Sequence, residues 1–572
     1  MNKRKVAKID YSLDRLGRQA DKYYNEGKLY SALRLAYRQF ELYGGDGDVY
    51  TRLSDIYEGM GLHGSAINWW FRFLDIAEEE DLPDIYEGLA VNYLNLGNET
   101  QSAFYYNQLI DADASLPEET KMDIVDAFSK SKKDKFRFVY PPRLADYSKE
   151  IEIGSKALKL GDTKRAIDTL GVVEKGAKGY ERAREMQAVA HLLSGETEQA
   201  EQICKELLED YPNDVRILAT LSAIYLEQDR GEESKALALQ LYALQQDNAE
   251  DLYKVATVCC ENGLHAEAYE KFCLLEQKIP YDGRMLYFKA VSAYKCGKYE
   301  QSEKAFDMLC TVYPDAEVAK FYLRALRTRN ENEGLDESQE PNYFYHVPQA
   351  ERESRCRSLI HIGKCPRDEA QLFGLIALHD GYFYWCFDEM DGADHDLQYL
   401  ALATAEHVRA DEFIREVLLN DEVLDLLKVE TLRMLYTRNE DMELGIVLCH
   451  IYRRIRISRI KIGRKKHRRF IEAYAKVASK FVAVHDEYGK KLKVTAESLY
   501  ALLESNGELE LADSEDDLAC AMLLLSGIKD LGKDVAAIVK AFDATEEKVR
   551  AILSVALGEQ TKTMQKSEAE KE

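Results

Sequence analysis

Small and apolar residues recur along this chain with two periods at once. Within a segment they return every three to four residues, which is the spacing of one face of a helix. Across segments the same residue kinds return every 34 positions. The clearest row is Gly161, Gly195, Asp229, Gly263 and Gly297, each 34 residues after the one before. Seven positions before each stands a small side chain: Gly154, Ala188, Ser222, Ala256 and Ala290. Five positions after each stands another: Ala166, Ala200, Ser234, Ala268 and Ser302. An aliphatic residue follows twelve positions after each: Val173, Leu207, Leu241, Leu275 and Leu309. Two helices cross closely only where both carry small side chains, because bulk there forces the axes apart. The pattern therefore predicts a helix, a tight turn and a second helix, copied in series. The aliphatic position buries against the next copy. Pro212, Pro280 and Pro314 stand where each second helix must stop and the chain reverse.

This order of small, small, aliphatic and proline, at this period, resembles the tetratricopeptide repeat. The unit is easiest to read from Gly283 to Ala316. Tyr287, Ala290 and Tyr294 fall on the first helix, and Tyr299, Ser302, Phe306 and Leu309 on the second. The signature Trp of the family is replaced by Leu218, Leu252 and Leu286, large apolar residues suited to the same packing. A looser array precedes, with Gly27, Gly61 and Gly97 at spacings of 34 and 36. Ala32, Ala66 and Ser102 follow those glycines, and Tyr23, Tyr24, Tyr57 and Tyr93 precede them. The predicted fold is all-α, a tetratricopeptide-type helical solenoid in two arrays, followed by a mainly helical C-terminal region with a short β element. The first array, of about three repeats and a further helix, spans 1–128, and a basic, proline-containing linker spans 129–146. The second array spans 147–329, with five repeats and a helix from Glu317 that caps the stack as half a repeat.

Beyond the arrays the period is lost. Residues 330–342, NENEGLDESQEPN, are acidic and poor in apolar side chains, which predicts a flexible linker. Residues 343–490 read as a mainly helical domain, with helices at Asp368–His379, Leu397–Arg409, Glu412–Leu419 and Val423–Leu435. From Gly445 to Gly463 the run GIVLCHIYRRIRISRIKIG changes character. Ile455, Ile457, Ile460 and Ile462 alternate with other side chains, and period two means strand. Helix resumes from Arg469 to His485. Residues 491–560 read as a small helical domain. Its stretch from Asp534 to Leu553 resembles a helix-turn-helix, with a tight turn at Asp543-Ala544 before a second helix. It departs from that motif at Asp543, where Gly or a similar residue is usual, and Glu546 and Glu547 sit beside Lys548 and Arg550. Residues 561–572 read as a disordered polar tail.

Composition narrows the function classes. The chain has 572 residues, is 46% hydrophobic and carries a net charge of −25. That charge argues against nucleic acid as the partner of the whole surface. The N-terminus is basic without an apolar core, so no signal peptide is expected. No long apolar run predicts a membrane span. The 11 cysteines are scattered and odd in number, and Cys204, Cys259, Cys273 and Cys310 fall at repeat core positions. Reduced, buried thiols and a cytoplasmic location follow. Cys356, His361, Cys365 and His379 lie near one another, but a Cys-x8-Cys spacing is not one that zinc uses. Glu389, Asp391, Asp394, His395 and Asp396 lack the glycine and spacing of a calcium loop and read as a helix-capping loop. There is no phosphate-binding glycine loop, nucleophile elbow or HExxH motif. No metal, cofactor or catalytic residue is expected, and the chain does not read as an enzyme.

Three candidate sites remain. The resemblance implies that the first helix of each repeat lines a concave face. In the first array that register selects Asp14, Asp21, Asp48, Asp55, Glu58, Asp84 and Glu87. Gathered carboxylates focus a negative potential that attracts a basic segment, although solvated helix faces in an acidic protein look the same in sequence. In the second array it selects Val189, Leu192, Ala219, Ala223, Leu226, Tyr253, Thr257, Tyr287, Val291 and Tyr294, with Arg182, Arg216 and Arg284 at the lip. Aromatics with arginine are enriched at protein interfaces, and such a groove suits a helix or an extended peptide. The alternative is that some of these side chains are inter-repeat core. The lysines and asparagines with which some members of the family clamp a terminal carboxylate do not appear at matching positions.

The third site is basic: Arg453, Arg454, Arg456, Arg459, Lys461, Arg464, Lys465, Lys466, Arg468 and Arg469 crowd into 17 positions without an acidic residue. Their repulsion needs an offset. Nucleic-acid phosphate, an acidic protein surface (the first groove of this chain or a second copy included) and a solvated hairpin tip are the three readings. Two functions follow. One is a cytoplasmic scaffold or adaptor that holds protein or peptide partners in the grooves. The other is a regulator that contacts nucleic acid through 453–469 while the repeats sense a partner.

Overall fold

The computed structural model describes residues 13–113, 115–129, 146–329, 335–388, 394–462, 468–481, 486–528 and 535–569. The first array comprises α1 (Leu13–Asn25), α2 (Leu29–Tyr43), α3 (Gly47–Gly59), α4 (His63–Ile76), α5 (Leu82–Asn95), α6 (Glu99–Ala112) and α7 (Glu118–Ser129). The second comprises α8 (Ser148–Lys159), α9 (Thr163–Leu170), α10 (Tyr180–Leu193), α11 (Thr197–Asp210), α12 (Val215–Glu227), α13 (Gly231–Ala243), α14 (Ala249–Glu261), α15 (His265–Glu276), α16 (Gly283–Lys295), α17 (Tyr299–Val312) and the capping helix α18 (Glu317–Thr328). After them come α19 (Gln349–Lys364), α20 (Arg367–His379), α21 (Tyr382–Asp388), α22 (His395–Val408), α23 (Asp411–Leu419) and α24 (Asp425–Thr437). The hairpin β1 (Met442–Leu448) and β2 (Ile451–Ile457) follows, then α25 (Arg468–Phe481), α26 (Asp486–Ser505), α27 (Glu515–Leu525), α28 (Val535–Ala541) and α29 (Glu546–Ala569).

The 34-residue row is a row of left-handed turns. Gly161, Gly195, Gly263 and Gly297 have φ of 75, 81, 69 and 71°, and Asp229 takes the same region at 58°. Gly27, Gly61 and Gly97 of the first array do so at 71, 76 and 77°. The reason is the end of the preceding helix, whose last carbonyls have no partner within it. Gly297 N donates to Tyr294 O at 2.8 Å and Lys298 N to Ala293 O at 2.9 Å, a pairing that only a left-handed residue allows. Asp229 builds the same pair, with Arg230 N donating to Tyr225 O at 2.7 Å. The second helix starts at once, so the two helices run back to back.

Their close crossing rests on the small residues. Ala188, Ala200, Ser222, Ser234, Ala256, Ala268, Ala290 and Ser302 are all fully buried. At Gly154 even a methyl group is excluded, since a Cβ would lie 2.5 Å from Leu170 Cγ. Where the small residue is serine, its hydroxyl returns to the backbone of the paired helix: Ser302 Oγ donates to Ala290 O at 2.8 Å and Ser234 Oγ to Ser222 O at 2.9 Å. A buried hydroxyl satisfied in this way adds no penalty to the core.

The described residues group into two compact units. One holds residues 131–349 and 388–391, which is the second array with the segment that follows it. The other holds 1–130, 350–387 and 392–572, so the first array shares a body with the C-terminal region. Within that second body the hairpin is the joint. β1 and β2 are antiparallel, with Leu444 opposite Ile455, Gly445 opposite Arg454 and Val447 opposite Tyr452. Alternation gives the hairpin two faces. Leu444, Ile446, Ile455 and Ile457 form one, all buried. Val447 and Tyr452 on the other join the aromatic core of the first array, with Trp70, Phe71, Tyr93 and Tyr105. Tyr452 Oη donates to Asp75 Oδ1 at 2.9 Å, and Arg454 Nη2 to Asp75 O at 2.8 Å. The guanidinium thereby satisfies a carbonyl in the last turn of α4, where a cation is favoured.

A polar seam continues the joint. Tyr93 Oη donates to Asp421 Oδ2 at 2.9 Å, His450 Nδ1 lies 2.9 Å from the same oxygen, and Tyr105 Oη donates to His450 O at 2.9 Å. Lys428, 1% exposed, donates to Val447 O at 2.7 Å, and burial pulls its ammonium down to about 8. Predicted and observed elements agree at α18, α20, α22, α23, α24 and the hairpin. The helices α19 and α21 are additional. α26 runs across position 490, and α29 continues through Ala569, into the stretch expected to be a polar tail.

Two stability outcomes follow. Asp229→Gly removes the strain of a left-handed non-glycine residue and is expected to stabilise the second array by about 1 kcal/mol, read as a raised midpoint in thermal unfolding. Gly445→Val places a side chain on Asp75 Oδ1 and the Tyr452 ring. It is expected to destabilise the first array's joint with the hairpin by about 1–3 kcal/mol, read by urea denaturation with hydrogen exchange localised to β1 and α4.

Candidate functional site

The groove of the first array is built by α1, α3 and α5. Asp14, Asp48 and Asp84 hold equivalent places in successive repeats, and so do Asp21 and Asp55. Equivalent places on stacked first helices face the same way, so the repeat turns single acidic positions into a patch. Asp21, Asp48, Asp55, Asp81 and Asp84 line an open cavity of about 350 Å³, together with Tyr24, Thr51, Phe73 and Arg52. Five carboxylates thus face one guanidinium. Arg52 is committed to Asp21, with Nε donating to Oδ1 at 2.6 Å and Nη2 to Oδ2 at 3.3 Å. Among the described residues the other four form no ion pair.

Asp55 registers the crowding. Although Asp55 is exposed, desolvation at the cavity wall, then Glu58 beside it, pushes its carboxyl up to about 6, with Asp21 and Asp84 adding and Arg52 opposing. Glu58 stands next to the cavity, where it accepts from Asn92 Nδ2 at 2.8 Å. Glu87 and Asp14 are exposed on α5 and α1 outside the cavity wall.

The second groove is different in kind, because the chain's own residues 335–346 lie on it. The hydroxyl of Tyr287, a residue at 1% exposure, lies 2.9 Å from both Asn342 O and Phe344 O and shares its one proton between them. Tyr294 Oη accepts from Leu335 N at 2.8 Å and donates to Glu340 Oε1 at 3.2 Å. Tyr322 of α18 donates to His346 O at 2.6 Å. Tyr345 donates to buried Asp388 at 2.9 Å, and burial pushes that carboxyl up to about 7. Residues 335–342 therefore differ from the flexible linker expected of them; 330–334 lie outside the described residues. The physical reason is the aromatic run Tyr343-Phe344-Tyr345 just downstream, which anchors the acidic stretch before it.

Of the other residues expected here, Tyr253 is half-buried against Phe272 and Phe288. Arg182 and Arg284 are exposed in the first turns of α10 and α16, and Arg216 pairs with Asp214 at 3.3 Å. Cations are disfavoured at helix N-termini. Asp214 and Asp282, which cap α12 and α16, offset them.

Part of the basic segment has partners within its own unit. Arg454 is used on α4, Arg456 faces Glu443 across the hairpin, and Arg468 pairs with Glu472 at 2.8 Å. Arg469 donates to Asp513 O. The backbones at Arg459 and Lys461 donate to Asp441 and Glu497. Arg453 is exposed on β2, while Arg464, Lys465 and Lys466 lie outside the described residues. The hairpin packs on α4, and among the described residues none of the basic segment lines the acidic cavity. Cys365 Sγ lies 3.5 Å from His361 Nε2, and among the described residues no three His, Cys, Asp or Glu side chains gather as a metal site.

Residues 182–214, which are α10, α11 and the cap of α12, match the family described as Tetratricopeptide repeat. The stacked helix pairs are tetratricopeptide repeats. A tetratricopeptide fold is that of a protein–protein interaction scaffold, a class that is typically not enzymatic. No curated protein matches the chain. Among solved structures, the TPR2AB domain of yeast Sti1 in complex with pHSP90 is 16% identical, covers 47% of this chain and 98% of its own, and has a TM-score of 0.20. A tetratricopeptide repeat protein from Parabacteroides merdae is 14% identical over 53% of this chain and 99% of its own, with a TM-score of 0.21. The TPR domain of P58(IPK) is 14% identical over 70% of this chain and 99% of its own, also at 0.21. Likeness at that level carries nothing about overall shape or function. Among the described residues no helix is long and apolar enough to cross a membrane.

The Asp55 environment has a direct readout. In a carboxyl NMR titration Asp55 is expected to titrate near 6. Glu58→Gln is expected to lower that value, since it removes a neighbouring negative charge.

Proposed function

We propose that this tetratricopeptide protein is a cytoplasmic scaffold whose first array captures a basic segment of a partner polypeptide between α1, α3 and α5. The observation behind this reading is the cavity's charge: five carboxylates against one arginine that Asp21 already holds. A cavity of about 350 Å³ accommodates the end of a lysine or arginine side chain, with Tyr24 and Phe73 available to its aliphatic stem. Asp48 and Asp84 sit in the first turns of their helices, where negative charge is stabilised. The cytoplasmic part of the proposal rests on eleven cysteines that are all free thiols.

The pH dependence has a definite sign. A bound cation favours ionised Asp55, so it lowers that pKa and displaces a proton on binding. Affinity then rises with pH through about 6 and levels off above it. A fluorescent peptide of alternating lysine and glycine is expected to bind the full chain, more weakly at pH 5 than at pH 7.5 and more weakly in higher salt. The triple variant Asp48→Asn, Asp55→Asn, Asp84→Asn is expected to weaken binding at least roughly tenfold, in line with charge-pair couplings of this kind. Equal affinity for the variant, or affinity indifferent to pH, would overturn the reading.

A further inference from the structure

The segment on the second groove is seated as a ligand is seated. Asn342 and Phe344 point their carbonyls at one buried hydroxyl, that of Tyr287. The chain bends through residues 343–346, where His346 N donates to Phe344 O at 2.9 Å. Tyr343 and Tyr345 turn toward the array, while Phe344 is 73% exposed. Tyr343 has its own receptor: His265 Nδ1 at 3.0 Å from the hydroxyl, the Phe288 ring at 6.1 Å and the Lys295 ammonium 5.9 Å over its face. Tyr345 packs edge-on against Tyr287 with centroids 4.8 Å apart, and its hydroxyl donates to Asp388. The receiving side chains come from the start of α15, from the first helices α16 and α18, and, for the Tyr345 hydroxyl, from the end of α21.

The chemistry divides into two parts. Tyr287, Tyr294 and Tyr322 act on main-chain atoms of Leu335, Asn342, Phe344 and His346, which any polypeptide offers. The pockets for Tyr343 and Tyr345 supply the selection. A patch built only to be covered has no need of two hydroxyl-specific pockets flanking an outward-facing Phe344. We propose that the second groove is a recognition site for a polypeptide segment carrying a Tyr-x-Tyr pair in a bend, and that residues 335–346 hold it in cis until an external segment of that kind displaces them. Tethering favours the internal occupant, because a short linker gives an effective concentration on the order of millimolar. A partner must therefore outcompete it, by extra contacts or by local abundance. This proposal concerns the second array alone and does not depend on the acidic cavity.

The test uses a fluorescent peptide of residues 335–348 and the full chain. The Tyr343→Ala, Tyr345→Ala double variant is expected to bind the peptide. The unaltered chain is expected to bind it roughly 100-fold more weakly, the factor that a millimolar tether imposes on a site of about 10 μM affinity. A peptide with alanine at both tyrosines is expected to bind neither. Equal binding to both chains, or no binding to a double variant that keeps its thermal transition, overturns the proposal. Should the variant not fold, hydrogen exchange on the unaltered chain decides. Excess peptide is expected to strip protection from the amides of residues 342–346, and the alanine peptide to leave it. Unchanged protection at saturating peptide overturns the proposal.

Discussion

The close crossing of paired helices is the constraint from which the rest of this molecule follows. With Ala, Ser or Gly on both sides, the two helices of a repeat meet nearly backbone to backbone, and large side chains have no place between them. They are forced to the flanks. On one flank Val173, Leu207, Leu241, Leu275 and Leu309 seal each repeat to the next and are buried. On the other flank the first helices stand side by side with whatever residues the sequence supplies there. A groove is therefore not an added feature. It is the surface left once packing has claimed the other two directions.

Because the repeat copies positions as well as structure, small choices in sequence are multiplied. An acidic residue at one place in a first helix becomes Asp14, Asp48 and Asp84, and at another place Asp21 and Asp55. No single one of these is unusual. Stacked, all but Asp14 line one cavity with carboxylates, and there desolvation, then Glu58, pushes Asp55 up to about 6, with Asp21 and Asp84 adding. The same repetition in the second array places Tyr253 and Tyr287 34 residues apart, and there the hydroxyls of Tyr287 and Tyr294, instead of charges, meet residues 335–344. One solenoid geometry thus produces an electrostatic groove and a hydrogen-bonding one.

What was legible in the sequence divides along a physical line. Left-handed turns, small crossings and the capping helix are local, fixed by residues within one 34-residue unit, and Asp229 obeyed the row despite not being glycine. The hairpin was legible because its isoleucines alternate. The joint between Tyr93 and Asp421 spans 328 positions and no periodicity announces it. The segment over the second groove was obscured by its own composition. Acidic residues 330–342 carry the signature of a linker, while the anchor lies just beyond them in Tyr343-Phe344-Tyr345. An aromatic run after a polar stretch was the available signal.

On the functions proposed for them, the two grooves impose different demands on a partner. Charge around an open cavity acts at a distance, is screened by salt and tolerates many basic sequences. It favours encounter more than selection. The second groove acts only at contact, through hydroxyls that are buried and already satisfied, so entry requires an exchange of hydrogen bonds rather than a gain of new ones. The net free energy of such an exchange is small, and the outcome is then set by fit in the two tyrosine pockets and by the tether. A chain carrying both kinds of face can be quick to meet one partner and strict in admitting another.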